Sequence, residues 1–494
     1  MNTPDYNWFI NNWRDSAYVQ LLDGDNVLAF ISRVTQQAES VGRNDIELLV
    51  GHCLYRALYE QDRFGSIASI LNDIQAPAEP TPAARILNGP LSLDRRAVKD
   101  TLSCFPAGGV GLFWLPYLID RGDLHEVDRL AEWCHASGIT YVRWFGAHDW
   151  AGGTSPDIPH YWELMARTLQ ALRQRNLRSH ITAFTRRDMI DDPIAMAKEW
   201  GDICGGHKDA VVCFECCNEY NHLDNGPWSN NEVRDVGHAF RSRNSDTPLA
   251  LSAPAAETYD ESNEQLINLL SGSEANAVTI HLPRYDKTQE GPWRWVRQPW
   301  HTRFGIANRN FIIDNEHTRW DKSNGGRKVE VAAASLLTAF ISGCGMSTHH
   351  DLQSVHINHG MFGDTPEDQQ LSKALSKIFS LLPSDLPNWT PTRLGNGGGP
   401  HPFPDLEAQQ WTFNNISHGV SRSFASVRGE QFVMVLNGVR DYVDLSNVQT
   451  HPFSVVSLKD GETVYDNGRG PVYLSEQLGG AFMVITNGLS DGYS

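Results

Sequence analysis

The stretch AVVCFECCNE, Ala210 to Glu219, decides how the rest of the chain is read. Its small and apolar residues, interrupted only by Glu215, stop abruptly at Asn218 and Glu219. A short apolar run of roughly 4–8 residues bounded by polar ones fits a strand buried on both faces, as in parallel sheets. A carboxylate at the end of such a strand is either a charge beside the next helix or a working group. If it works by acid–base chemistry, a second acid should end another strand of the same kind.

Seven more segments have this character: GVGLFWL (109–115), ITYVRWF (139–145), RSHITAF (178–184), PLALSA (248–253), NAVTIHL (276–282), NFIIDN (310–315) and SGCGMST (342–348). Between them run amphipathic stretches at helical spacing, such as Leu124, Val127, Leu130, Ala131, Cys134 and Tyr161, Leu164, Met165, Leu169, Leu172. Eight strand–helix repeats within residues 105–385 predict a (β/α)8 TIM barrel. A doubly wound open sheet is the competing architecture. It is disfavoured because no glycine-rich phosphate loop follows the first strand.

The flanks read differently. Residues 1–80 carry three helical stripes, Val27 to Val34, Ile46 to Leu58 and Ile67 to Ile74, ending in the stiff linker QAPAEPTP (75–82). This helical module either packs on its neighbour or docks the chain to a larger assembly. The barrel, with an entry hairpin around ILNGPLSLDRRAVKD, is expected over 83–390. After GNGGGPHP (395–402), the segments WTFNNIS, RSFASVR, EQFVMVLN, FSVVSL, PVYLSE and AFMVITN are separated by turn signals such as KDGE (459–462) and DNGRG (466–470). Residues 400–494 are therefore predicted to form an antiparallel β-sandwich.

A formal charge of −18 without a basic cluster speaks against nucleic acid as a partner. No run approaches the ~20 apolar residues of a membrane span, and no secretion signal opens the chain. The eight cysteines are scattered through apolar segments, a pattern of buried thiols in a reducing compartment rather than a disulfide framework. A soluble protein, cytoplasmic or particle-associated, is the expectation.

In a (β/α)8 barrel, chemistry is carried at the C-terminal ends of the strands. Those ends bear Arg143 on the second strand, Asn218 and Glu219 on the fourth, His281 on the sixth and Glu316 on the seventh. NFIIDNEHTRW repeats the pattern of the opening stretch, an apolar strand running into Asn-Glu. Two carboxylates facing each other there at ~5 Å would suit a retaining glycosidase. One must hold a proton and the other must stay ionised, and a guanidinium beside the second favours that. In the period-2 count Glu215 shares a face with Glu219 and Asp314 with Glu316. Both are expected to be structural charges one layer below the site, with Arg143 available to neutralise either.

On these residues the central block resembles clan A of the glycoside hydrolases, retaining barrels with their two glutamates on strands four and seven. The resemblance implies Glu219 as acid/base, Glu316 as nucleophile, Asn218 as a partner of the sugar 2-hydroxyl and Arg143 as the second-strand arginine. HLPRY (281–285) matches the sixth-strand His-x-Tyr loosely through His281 and Tyr285, and THHD (348–351) stands where a tryptophan is usual. The C-terminal sandwich resembles the accessory domain that often follows such barrels. The implied substrate is a poly- or oligosaccharide and no cofactor is called for.

Two other clusters and a set of aromatics bear on chemistry. Cys213, Cys216 and Cys217 are not a zinc site, since strand alternation turns Cys216 away from the other two. His349, His350, Asp351, His356 and His359 could ligate a cation or line a sugar cleft, with His349 and His350 as substrate contacts. Trp144, Trp150, Trp293, Trp295 and Trp320 are candidate sugar platforms, Trp150 and Trp320 above all. The alternative to an enzyme is a non-catalytic carbohydrate-binding or structural protein, such as a virion-associated one, built on the same barrel.

Overall fold

The computed structural model describes residues 85–256, 259–281, 311–316, 329–393, 424–429, 431–437, 442–444, 452–468, 471–473 and 480–486. The N-terminal stripes, the Pro-rich linker, GNGGGPHP, WTFNNIS, Tyr285, Trp293, Trp295 and Trp320 lie outside the described residues. The chain divides into two compact units, Met1–Thr81 and Pro82–Ser494. The second begins with a three-stranded antiparallel sheet of β1 (Ser92–Asp94), β2 (Ala97–Lys99) and β3 (Cys104–Phe105).

The eight strands of the next sheet are β4 (Ala107–Gly111), β5 (Tyr141–Ala147), β6 (Arg178–Phe184), β7 (Val211–Cys217), β8 (Leu249–Ala250), β9 (Val278–His281), β10 (Ile312–Glu316) and β11 (Met346–His349). They pair in parallel in the order β8-β7-β6-β5-β4-β11-β10-β9. The ring closes between its two ends, where the N–H groups of Asn276 and Ala277 donate to Leu249 O at 3.1 and 3.0 Å. Around it lie α1 (Leu115–Arg121), α2 (Leu124–Ser137), α3 (Tyr161–Gln174), α4 (Pro193–Gly206), α5 (Asn230–Arg241), α6 (Tyr259–Leu270), α7 (Val329–Ile341), the short α8 (Leu352–Val355) and α9 (Pro366–Leu381). This is the expected (β/α)8 barrel. The first strand starts earlier than its apolar run suggested, and Leu115 opens a helix instead.

Alternation sorts each strand into an inner and an outer face. Outward residues meet the helices: the Trp144 ring lies 6.1 Å from Trp200 of α4, and Phe214 stacks on Phe240 of α5 at 4.0 Å. Inward, Tyr141 reaches across to hydrogen-bond Thr348 at 2.7 Å. Gly109 makes room for that ring, because a Cβ there would stand 2.1 Å from it. The N-terminal opening is stopped by the entry sheet: Leu87, Leu91, Val98 and Phe105 form one buried cluster with Tyr141, Cys213, Ala250, Ile313 and Met346.

A C-terminal antiparallel β-sandwich comes next, made of β12 (Thr390–Arg393), β13 (Phe424–Arg428), β14 (Gln431–Asn437), β15 (Tyr442–Asp444), β16 (Phe453–Ser457), β17 (Thr463–Gly468), β18 (Pro471–Tyr473) and β19 (Ala481–Thr486). Six of the strands run in the order β12-β13-β14-β19-β16-β17, and β15 and β18 form a two-stranded ribbon. The first strand, at Thr390, precedes the glycine-rich segment taken as the boundary. Of DNGRG, read as a turn, Asp466 to Gly468 instead form the end of β17, paired with β16, and Arg469 and Gly470 lie outside the described residues. One face of the sheet (Val433, Val435, Met483, Ile485) joins the barrel core and the other (Phe432, Met434, Phe482, Val484) a second core. Helix α7 lies against β13, β14 and β19, and all its side chains but Glu330 are buried. Such all-round apolarity marks a helix covered on every side. Among the described residues no helix is long and apolar enough to cross a membrane.

Candidate active site

Arg143 lies in the middle of β5, not at its end, and its side chain is fully buried. Its guanidinium donates from Nη1 to Glu316 Oε1 at 2.7 Å, and from Nη2 to Glu215 Oε2 and Asn218 Oδ1, both at 3.0 Å. Nε donates to Thr182 Oγ1 at 3.0 Å, and that hydroxyl donates to Glu215 Oε2 at 2.7 Å. One cation thus serves two carboxylates, which limits the cost of burying all three. Burial, the largest single influence, would raise the Glu215 pKa, but Arg143 and the other polar neighbours together hold the carboxyl below its ordinary value. Burial likewise works against the guanidinium, and Glu215 and Glu316 keep it charged.

Glu219 follows directly on β7. Its φ of +44° lies in the left-handed region, uncommon for a residue with a Cβ and worth roughly 1–2 kcal/mol of strain. The turn is over-determined by its surroundings. Asn225 donates from Nδ2 to Asn218 O at 3.1 Å and Glu219 O at 3.4 Å, Asn218 N–H donates to Phe184 O at 2.8 Å, and Tyr220 N–H to Ser252 Oγ at 3.1 Å. The strained corner swings the Glu219 side chain into the barrel mouth, where it is 24% exposed while Glu316 is 5% exposed.

Glu316 reaches the same mouth by a different device. Along β10, Ile313 pairs with Thr279 and Asp314 with Ile280, but the ladder then slips and Glu316 pairs with His281. Such a slip adds a residue to one strand and re-aims the side chains beyond it. Asp314 is therefore in register with Ile280, a member of the core between strands and helices. The period-2 count that put Asp314 on the face of Glu316 fails at this slip, and Arg143 neutralises Glu215, not Asp314. Both Asp314 oxygens are buried without a hydrogen bond. Burial, with Glu316 nearby, pushes that carboxyl well above its ordinary pKa, so it is held as the neutral acid.

His281 joins the two acids. Its Nδ1 is 3.0 Å from Glu219 Oε1 and its Nε2 is 3.5 Å from Glu316 Oε1, and the ring is 3% exposed. Across the mouth, His350 Nε2 stands 3.8 Å from Glu316 Oε2, its ring stacked on Phe113 at 5.3 Å. His349 is not brought to the site. It sits on the opposite face of β11, with its ring against Phe362 at 5.7 Å. The loop histidines therefore do not converge on one point. Trp150, partly exposed in the loop after β5, lies 6.0 Å from Phe113 and 5.6 Å from Phe145. Those two phenylalanines stack on each other at 3.9 Å and also flank Arg143. Trp144 is core and no platform. The sequence reading missed Phe113 and Phe145 because both sat inside runs taken as strand, although Phe145 shares the period-2 face of Arg143.

Among the described residues, one group of metal-ligating side chains gathers: Glu219, His281 and Glu316, with atoms all within 4.8 Å of one another. A cation there would face the buried guanidinium already bonded to Glu316 Oε1. Repulsion at that distance favours the reading as an acid pair bridged by an imidazole. Two carboxyls so placed, one fixed by a cation and one strained and partly open, can attack and protonate opposite sides of one bond.

No protein-family model matches the chain, and no curated protein matches it. Among solved structures, an endo-1,4-β-mannanase from Rhizomucor miehei is 10% identical, with 58% of this chain and 99% of that one covered and a TM-score of 0.45. A family 30 glycoside hydrolase endoxylanase from Clostridium papyrosolvens is 9% identical, covering 81% and 99%, with a TM-score of 0.47. An endo-1,4-β-D-mannanase from Thermotoga petrophila is 12% identical, covering 56% and 100%, with a TM-score of 0.40. The barrel assignment rests on this chain's own strand order and closure.

Proposed function

We propose that this protein is a retaining glycoside hydrolase acting on a poly- or oligosaccharide, with Glu219 as acid/base and Glu316 as nucleophile. The observation that carries the reading is the approach of the two carboxylates to within 4.8 Å at the C-terminal mouth of the barrel. Retaining enzymes hold their carboxyls at about 5–5.5 Å and inverting ones at about 6.5–9.5 Å, to leave room for water. In the first step a Glu316 oxygen bonds to the anomeric carbon, the glycosidic C–O bond breaks and Glu219 gives its proton to the leaving oxygen. In the second, water adds to that carbon, Glu219 takes back a proton and the Glu316 ester bond breaks.

The other groups have roles in this scheme. Arg143 supports Glu316 as an anion, and Asn218, held by Arg143, takes a sugar hydroxyl in this reading. His350 and Trp150 line the side of the mouth carrying Phe113 and Phe145, where ring faces suit the C–H faces of a pyranose. Hydrolysis of a glycan panel, with proton NMR of the first-formed anomer, tests the reading. Retained configuration is expected, and Glu316→Ala and Glu219→Gln each lose at least about a thousandfold in kcat while staying folded. An inverted product, or wild-type turnover in either variant, overturns it. Tight glycan binding with no cleavage of any substrate would instead establish the non-catalytic carbohydrate-binding reading.

A further inference from the structure

Among the described residues His281 contacts both acids, and its chemistry is asymmetric. A neutral imidazole offers one N–H and one lone pair, on opposite sides of the ring. Here Nδ1 faces Glu219 Oε1 at 3.0 Å and Nε2 faces Glu316 Oε1 at 3.5 Å, with the ring fixed at the end of β9 in register with Glu316. The ring lies almost wholly out of solvent, and Nε2 has no hydrogen bond of its own. Of the two neutral tautomers, only one suits both contacts. Glu316 Oε1 accepts from Arg143, so it is the anionic end. An Nε2–H is attracted to it, whereas an Nε2 lone pair would repel it. The proton on Nε2 leaves Nδ1 as a lone pair, and a lone pair 3.0 Å from a carboxyl oxygen is favourable only when that oxygen carries hydrogen.

We propose that His281 is a positioning residue that assigns the one proton of the acid pair to Glu219, by presenting an N–H to Glu316 and a lone pair to Glu219. This deepens the glycosidase reading and rests on it for its purpose, since that reaction needs one acid protonated and the other ionised. The signal runs from Arg143 through Glu316 and the imidazole to Glu219. The titratable and charged groups around the ring, among the described residues, are Arg143 on β5, His180 on β6, Glu215 and Glu219 on and after β7, Glu316 on β10 and His350 past β11. His180 is held neutral by burial, its pKa pushed down to about 3, and Glu215 is held ionised by Arg143. Neither changes charge between about pH 5 and 8, so they leave the assignment alone.

The test reads protons rather than rates. Side-chain carboxyls are labelled with carbon-13 in the full chain, and Glu219 and Glu316 are assigned with E219Q and E316Q and followed by NMR from pH 3 to 9. In His281→Leu the Glu219 midpoint falls and the Glu316 midpoint rises, each by about one unit, because each loses the partner that favoured its form. His281→Asn, whose amide reaches only toward Glu219, restores the first shift alone. His281→Gln, reaching toward Glu316, restores the second alone. These two variants keep a polar group in place should the leucine variant fail to fold. Midpoints that stay put, or move in the same direction, overturn the proposal, since a packing or sugar-contact role would not split them. No substrate is needed, so opposed shifts in a protein that cleaves no glycan would sink the hydrolase reading and leave the proton assignment standing. In an active enzyme the kcat/KM pH profile of His281→Leu narrows from both sides.

Discussion

At the floor of the barrel, Tyr141 and Cys213 meet Val98 and Phe105 of the entry sheet in a dry, apolar cluster. Two residues further along the same strands and on the same inner face stand Arg143 and Glu215, joined to Glu316 in a buried ion network. The floor adds apolar burial, at roughly 25 cal/mol per Å². The mouth buries three charges, an arrangement that often contributes little net stability against an apolar equivalent. Both regions are equally inaccessible, so burial alone does not distinguish a structural layer from a chemical one. The distinction lies in whether each buried group could be exchanged for a hydrocarbon without loss.

The contrast is broken most sharply at Arg143. Arg143→Leu leaves Glu215 and Glu316 buried without their shared guanidinium, and a loss of about 3–5 kcal/mol in urea unfolding is expected together with loss of glycan turnover. A variant that unfolds like wild type would mean the network is dispensable to the fold. At the floor, Phe105→Ala should cost about 3–4 kcal/mol through the cavity it leaves, yet kcat of the folded fraction should not change. A fall in kcat there would show that the two layers are coupled.

The next effect depends on pH. Burial lowers the His180 pKa to about 3, against about 6.5 in the unfolded chain. A depressed folded value means stability that is complete above the unfolded pKa and lost as pH falls toward the folded one. Between pH 7 and pH 5 this residue should remove about 2 kcal/mol, at about 1.4 kcal/mol per unit below pH 6.5. His180→Gln should shrink the measured drop by that amount, and an unchanged drop would show that the imidazole is protonated inside the barrel. The smallest effect belongs to the strained corner. Asn225→Ala removes the amide that donates to Asn218 O and Glu219 O, for about 1 kcal/mol of stability and a larger proportional fall in kcat than in KM.

The barrel was legible because eight short, largely apolar or β-prone segments alternate with amphipathic helical stretches. RSHITAF is β6 to the residue. Counting by twos along a strand put Glu215 on the face of Glu219 and separated Cys216 from Cys213. The same count failed for Asp314, because a register slip depends on how neighbouring strands pair, which β10 alone does not carry. It would have chosen His350 over His349 had Thr348, on the face of Tyr141, been used as the reference. The aromatic shelf of Phe113 and Phe145 had no signature distinct from core. At Asp466 to Gly468 turn composition was overridden by pairing of β17 with β16, as tertiary context overrides local preference.

Helix α7 sets a limit on how this molecule can be dissected. Its apolar outer surface has the antiparallel sheet as its cover, so a fragment ending before Thr390 would present a hydrophobic stripe to water and aggregate rather than behave as a free-standing catalytic module. The barrel and its C-terminal sandwich must be expressed, engineered and inherited as a single piece.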